Sequence, residues 1–359
     1  MKRIIDIIIL TSVLILSGCK DVSSVDPQIG APESRPIEFG ISSDLSVESK
    51  AAIDESNYTD FEFKPYGIFT APGETSERSV FAEGTVVTYN PGASAGTSAW
   101  SYSPLRYWWP GSYAFAGVMP SVYAARFETN NETSILTLNF DNGFDLSTAQ
   151  TDLLVAFDNE TVTSASAAGP VDFDFAHQLA LVTIEGKSKD PSTLEGGIAV
   201  NEITVYGNSK QTTGDIVFTY TLPVGETQGV ITSAFTLGEP STNDKPYKTI
   251  ERPANLIGAA ATADWQLTYA ATPAYDVLVP ELLVFPQTCE FSIVVKYTKG
   301  GNPMEITGKL PADWKAGKKY TYRFSLAADI SFSFTVDDWD DVPVSDGDNT
   351  DEDDEIEIY

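Results

Sequence analysis

Apolar and polar residues alternate with a period of two along much of this chain, and that pattern confines it to β-structure. Ile330, Phe332, Phe334 and Val336 alternate with Ser331, Ser333 and Thr335, and Tyr322, Phe324 and Leu326 form a similar face. Phe291, Ile293, Val295 and Tyr297 repeat the pattern, as do Ile216, Phe218, Tyr220 and Leu222, and Leu136, Leu138 and Phe140. Successive side chains of a strand point to opposite faces, so each run offers one face to a core and one to water. Turn signals separate the runs: Pro91-Gly92, Pro110-Gly111, Asn142-Gly143 and Gly300-Gly301-Asn302. Long helical patterns are scarce. Many short strands joined by Gly/Pro turns predict an all-β sandwich or barrel.

The N-terminus carries a different signal. Lys2 and Arg3 precede an apolar run, Ile4–Leu16, which ends in Leu16-Ser17-Gly18-Cys19. A basic n-region, an apolar h-region and small residues form an export signal. The run is shorter than the ~20 apolar residues a membrane-spanning helix needs, and Asp6 interrupts it. The cysteine at the cut resembles that of a bacterial lipoprotein: cleavage before Cys19 frees a thiol for diacylglycerol and an amine for a further acyl chain. Plain secretion is the alternative.

About 340 of the 359 residues remain after such a cut, which at roughly 150 residues per domain predicts two domains. The expected organisation is a signal peptide at 1–18 and a polar linker at 19–36 containing Pro27, Pro32 and Pro36. An N-terminal β-sandwich at 37–168, a C-terminal β-sandwich at 169–344 and an acidic tail at 345–359 follow. The boundary is placed in the small-residue stretch Ser164–Gly169.

The net charge of -29 repels phosphate backbones and speaks against nucleic-acid binding. Residues 337–359 hold twelve Asp and Glu and no Lys or Arg, which reads as a solvated segment. Asp337–Asp341 and Asp346–Asp351 are oxygen-rich but lack EF-hand spacing. With Cys19 lipidated, Cys289 has no intramolecular partner and reads as a small core thiol. His177, the single histidine, follows Asp172 and Asp174. No nucleophile motif accompanies it, so a structural role is expected, and neither an enzyme nor a bound cofactor or metal is predicted. Trp108-Trp109 with Tyr107, Tyr113 and Tyr123 is read as core rather than as a sugar-stacking surface.

Together these segments resemble the fimbrillins, the pilus subunits of Bacteroidota. The resemblance rests on Cys19, Ile37-Glu38-Phe39-Gly40-Ile41, the stretch from Tyr107-Trp108-Trp109-Pro110-Gly111 to Met119-Pro120, and Thr151–Ala156. It continues through Val171–Ala180 around His177, Val284-Phe285-Pro286-Gln287, Trp314–Tyr322 and Val336–Trp339, in that order. It implies two transthyretin-like β-sandwich domains and assembly into a cell-surface fimbria acting in adhesion. It also implies a lipidated precursor at the outer membrane, a trypsin-like protease that cuts beyond the first strand, and filling of the opened groove by a strand of another subunit. On this sequence the lost strand is Ile37–Ile41, with Ile37, Phe39 and Ile41 inward, and the cut falls between Lys50 and Ala51, where the family more often has arginine. Retention of the strand would make the protein a lipid-tethered anchor. Val342 and Val344, or Ile356, Ile358 and Tyr359, are candidate donor positions, with an inert acidic tail as the alternative. The competing reading is a monomeric, lipid-anchored β-sandwich that binds a glycan or host protein.

Overall fold

The computed structural model describes residues 35–42, 53, 57–92, 98–130, 133–140, 144–147, 149–188, 198–208, 210–211, 214–222, 229–237, 248–251, 275–299, 302–326, 331–338 and 354–357. Among these the protein is built from β-strands, with one short 3₁₀ turn at Tyr58–Asp60 and no α-helix. In chain order the strands are β1 (Phe39–Ser42), β2 (Lys64–Thr70), β3 (Glu77–Ser79), β4 (Thr88–Tyr89), β5 (Trp100–Ser101), β6 (Gly111–Met119), β7 (Ala125–Asn130), β8 (Thr133–Phe140), β9 (Phe144–Asp145), β10 (Leu154–Val162), β11 (Val171–Asp174) and β12 (Ala176–His177). They continue as β13 (Ala180–Ser188), β14 (Ile198–Tyr206), β15 (Lys210–Gln211), β16 (Gly214–Thr221), β17 (Val230–Ala234), β18 (Lys248–Glu251), β19 (Asp276–Val284), β20 (Gln287–Lys299), β21 (Asn302–Trp314), β22 (Lys318–Leu326), β23 (Ser331–Asp338) and β24 (Asp354–Glu357).

Two sheets enclose the first core. One has the order β11-β1-β5-β4 and the other β12-β10-β6-β2-β3. Between them lie Ile37, Phe39, Phe63, Trp108, Phe115, Phe173 and Phe175, all nearly inaccessible to water. A second core is formed by the sheets β19-β13-β22-β23-β24 and β18-β14-β20-β21, joined by the sheet β17-β16-β8-β7. That last sheet hydrogen-bonds β8 from the first half of the chain to β16 from the second, in register from Gly214↔Phe140 to Thr221↔Thr133.

Strands β6 and β10 lie between the two cores. Leu154 and Ala156 face the first, whereas Val155 and Phe157 face the second. Burial on both faces explains why Leu153-Leu154-Val155-Ala156-Phe157 is continuously apolar instead of alternating. Gly117 on β6 is required by the same crowding: a Cβ there would lie 2.9 Å from the Phe175 ring and 3.0 Å from that of Phe173. The chain leaves the first core for the last time between Phe175 and Leu179, so Val171, Phe173 and Phe175 belong to the first. Their place there follows from β11 pairing with β1 in parallel, which aims Val171 and Phe173 inward beside Phe39 and Ile41.

Candidate strand-exchange site

Strand β1 is only four residues long, yet it occupies an interior position of its sheet. Parallel pairing to β11 sets the register Phe39↔Val171, Gly40↔Asp172, Ile41↔Phe173 and Ser42↔Asp174. The Val171 N–H donates to the Glu38 carbonyl at 2.8 Å. On the other side β5 is two residues long and meets β1 at a single register pair, Phe39↔Trp100. The remaining polar groups of the segment are met by other means. The Ile37 N–H donates to the Arg106 carbonyl at 2.8 Å, and the Trp108 N–H donates to the Arg35 carbonyl at 3.0 Å. The Tyr102 hydroxyl donates to the Ile37 carbonyl at 2.9 Å, and the Ser98 hydroxyl donates to the Phe39 carbonyl at 2.5 Å. Burial pushes the Tyr102 phenol up to about 12, so it stays a neutral donor at physiological pH.

Alternation places Ile37 and Phe39 inward, each 1% exposed, with Ile41 half-buried at the rim of the same core. Phe39 fills an aromatic socket. Its ring lies 5.4 Å from Phe63 in an edge contact, 5.6 Å from Phe81 and Tyr102, and 5.5 Å from Phe173 in a stacked contact. These separations suit aromatic pairs, each worth about 0.5–1.5 kcal/mol beyond area burial. Removal of β1 leaves this socket and the β11 edge without a partner, a combination that templates pairing with another strand.

The outer face of the groove is acidic. A Cβ built on Gly40 would stand 2.0 Å from the Asp172 Oδ1 and 3.3 Å from its Cγ, so the Asp172 carboxylate lies across the glycine. Asp158 on β10 accepts hydrogen bonds from the backbone N–H groups of Asn159 and Asp172. Its carboxyl is raised to about 6, chiefly by burial and then by repulsion from Glu160, with Asp172 a smaller contributor. Glu160 is raised for the same reasons, burial and Asp172. Arg35, which precedes β1, pairs with Glu38 at 3.7 Å and donates to the Ala168 carbonyl at 3.1 Å.

Ile53, fully buried, marks where the chain after β1 is pinned again. Its N–H donates to the Asp152 Oδ2 at 3.0 Å, and the same oxygen lies 2.9 Å from the His177 Nδ1. His177 therefore pairs with Asp152, 25 positions upstream, and the pair is buried and holds backbone in place. Cys289 on β20 is half-buried against the second core, which pushes its thiol up to about 11. Trp108 is core, in edge contact with Tyr113 at 4.9 Å. Trp109 instead lines an apolar pocket of about 300 Å³ with Phe69, Pro72, Val80, Tyr107 and Tyr113.

Ile37, Phe39 and Ile41 are thus brought together. Cys19, Lys50, Ala51 and Ile358 lie outside the described residues. Ile356 falls on β24, which pairs antiparallel with β23 at the edge of a different sheet, in the register Phe332↔Ile356. Tyr102, Ser98 and Asp158 complete the site and were not singled out by sequence, and Asp172 was noted there only for its nearness to His177. Asp172 and Phe173 alternate visibly, but which strand they pair with is a non-local property. Among the described residues no group of three or more His, Cys, Asp and Glu is placed to hold a metal ion, and no helix is long and apolar enough to cross a membrane.

Residues 59–339 match the family described as fimbrillin-like. No curated protein matches the sequence. Among solved structures, the chain is similar to a candidate cell adhesion protein of Bacteroides uniformis at 15% identity, covering 86% of this chain and 99% of that one with a TM-score of 0.45. A candidate cell adhesion protein of Bacteroides ovatus is similar at 14% identity over 85% and 98% of the two chains, TM-score 0.42. A fimbrial assembly protein of Parabacteroides distasonis is similar at 10% identity over 85% and 99%, TM-score 0.38.

Proposed function

The chain belongs to the fimbrillin-like family, and from that premise we propose that it is a subunit of a cell-surface fimbria acting in adhesion, exported as a lipoprotein on Cys19 and joined to other subunits by strand exchange. The observation that carries this reading is the seating of β1: a four-residue strand in the interior of a sheet, met by β5 at one register pair, with Phe39 in a socket of four aromatic rings. A trypsin-like cut between Lys50 and Ala51 releases residues up to Lys50 and opens that socket. The new N-terminal segment stays attached because Ile53 is buried and bonded to Asp152. A donor strand from another subunit then restores the backbone pairing to β11 and fills the sites of Ile37, Phe39 and Ile41. Before processing, the lipid holds the precursor at the outer membrane.

N-terminal sequencing of protein recovered from the cell surface tests the reading. An Ala51 start together with SDS-resistant ladders on unboiled gels supports it, and a lipidated Cys19 start without ladders assigns an anchor role. A monomer with a saturable glycan affinity replaces it with the second reading. The aromatic pocket of Phe69, Trp109 and Tyr113 is the observation that favours that alternative.

A further inference from the structure

Resting on the strand-exchange reading, we propose that the β1 groove is selective for a strand of a different subunit, one with a bulky aromatic residue at the Phe39 site and a glycine or cationic residue at the Gly40 site. The groove excludes the acidic segment Asp354–Tyr359 of a second copy of this chain, and the other candidate, Val342-Pro343-Val344, brings a valine rather than an aromatic residue to the Phe39 site.

Depth and charge impose these requirements. The Phe39 site is bounded by Phe63, Phe81, Tyr102 and Phe173, and a small side chain leaves it as a void. At the next position the Asp172 carboxylate lies where a Cβ would be. Any side chain there has to displace that carboxylate, and the carboxylates of Asp158 and Glu160 are close enough to repel it. An incoming carboxylate adds a negative charge beside Asp172, which already repels Asp158 and Glu160, whereas an incoming Lys or Arg pairs with Asp172.

The segment Asp354-Glu355-Ile356-Glu357-Ile358-Tyr359 fails at this position. Two registers parallel to β11 seat both isoleucines inward. With Ile356 at the site of Ile37, Tyr359 falls at the site of Gly40; with Ile356 at the site of Phe39, Glu357 falls there and Asp354 occupies the buried site of Ile37. The two antiparallel registers place Glu355 or Glu357 at the site of Gly40. Residues Asp354–Glu357 have a seat within their own chain instead, where β24 extends the sheet beyond β23.

The test uses the full chain with a site-specific protease sequence substituted into residues 43–49, cut while folded so that β1 remains in place until exchanged. Labelled peptides of the sequence 35–42, its Gly40→Lys, Gly40→Asp and Phe39→Ala variants, and the sequence 352–359 are added in excess, and label co-eluting with the protein is measured. Entry of the 35–42 and Gly40→Lys peptides is expected, with the Gly40→Asp and 352–359 peptides at least about tenfold lower, a difference of about 1.4 kcal/mol. Asp172→Asn in the protein should recover most of the Gly40→Asp peptide's entry. Equal entry of the acidic and 35–42 peptides overturns the selectivity while leaving strand exchange standing. Failure of every peptide, including 35–42 itself, overturns strand exchange at this groove and the selectivity with it.

Discussion

Truncation of Phe39 to alanine should free β1 without unfolding the rest of the protein. The side chain is 1% exposed and its ring meets four others at centroid separations of 5.4–5.6 Å. Emptying such a site costs the lost transfer free energy plus a cavity term, about 3–5 kcal/mol for Phe→Ala. β1 is four residues long and its N-terminal flank is held by few backbone bonds, so the loss should appear as local opening. The reporter is the Val171 amide, whose N–H donates to the Glu38 carbonyl across the β1–β11 pair. At 1.4 kcal/mol per tenfold, hydrogen exchange at Val171 should accelerate by about 10²- to 10³-fold or more. Amides at the centre of the β20–β21 pair, such as Ile293, belong to the second core and should be unaffected. Phe39→Leu keeps most of the buried area and should cost about 1–2 kcal/mol. A Phe39→Ala protein whose Val171 amide exchanges within about threefold of wild type, a difference near 0.6 kcal/mol, would refute the claim that the aromatic socket holds β1.

Asp158 makes stability depend on pH. Its carboxyl is raised to about 6 in the folded protein, above the ordinary 3.8, so folding favours the protonated form and stability should rise as pH falls from 7 to 4. Asp158→Asn keeps an acceptor for the Asp172 N–H, and should raise stability at pH 7 by about 1–3 kcal/mol and flatten that slope in urea titrations. Tyr102→Phe removes the donor to the Ile37 carbonyl and the acceptor of the Arg106 N–H, and should lower stability by about 1–3 kcal/mol and speed Val171 exchange. Asp152→Ala strips Ile53, Leu153 and His177 of their shared buried partner, and should cost about 2–4 kcal/mol in denaturant melts. Cys289, with its thiol raised to about 11, should react with iodoacetamide at pH 8 far more slowly in the folded protein than in urea.

Much of the site was legible as pattern. Ile37, Phe39 and Ile41 alternate with Glu38 and Gly40, and they form the inward face of β1 and its N-terminal flank as that spacing predicts. The same rule fails at Leu153–Phe157, where an unbroken apolar run marks a strand buried on both faces between two cores. His177 reads from sequence as a structural residue, but its partner Asp152 lies 25 positions upstream and is joined to it only by the fold. Neither the hydroxyls of Tyr102 and Ser98 nor the carboxylate of Asp158 carries a local signal, because each acts on a strand far from it in the chain.

What the sequence alone determined is strand content, the inward face of each strand and the kinship with fimbrillins, since side-chain periodicity and motif order are local properties. Only the tertiary structure decided that β1 lies parallel to β11, that β8 of one half pairs with β16 of the other, and that Gly40 lies under the Asp172 carboxylate. Pairing partners and register emerge when whole faces are buried together, a sum over contacts distant along the chain that no short stretch of sequence encodes.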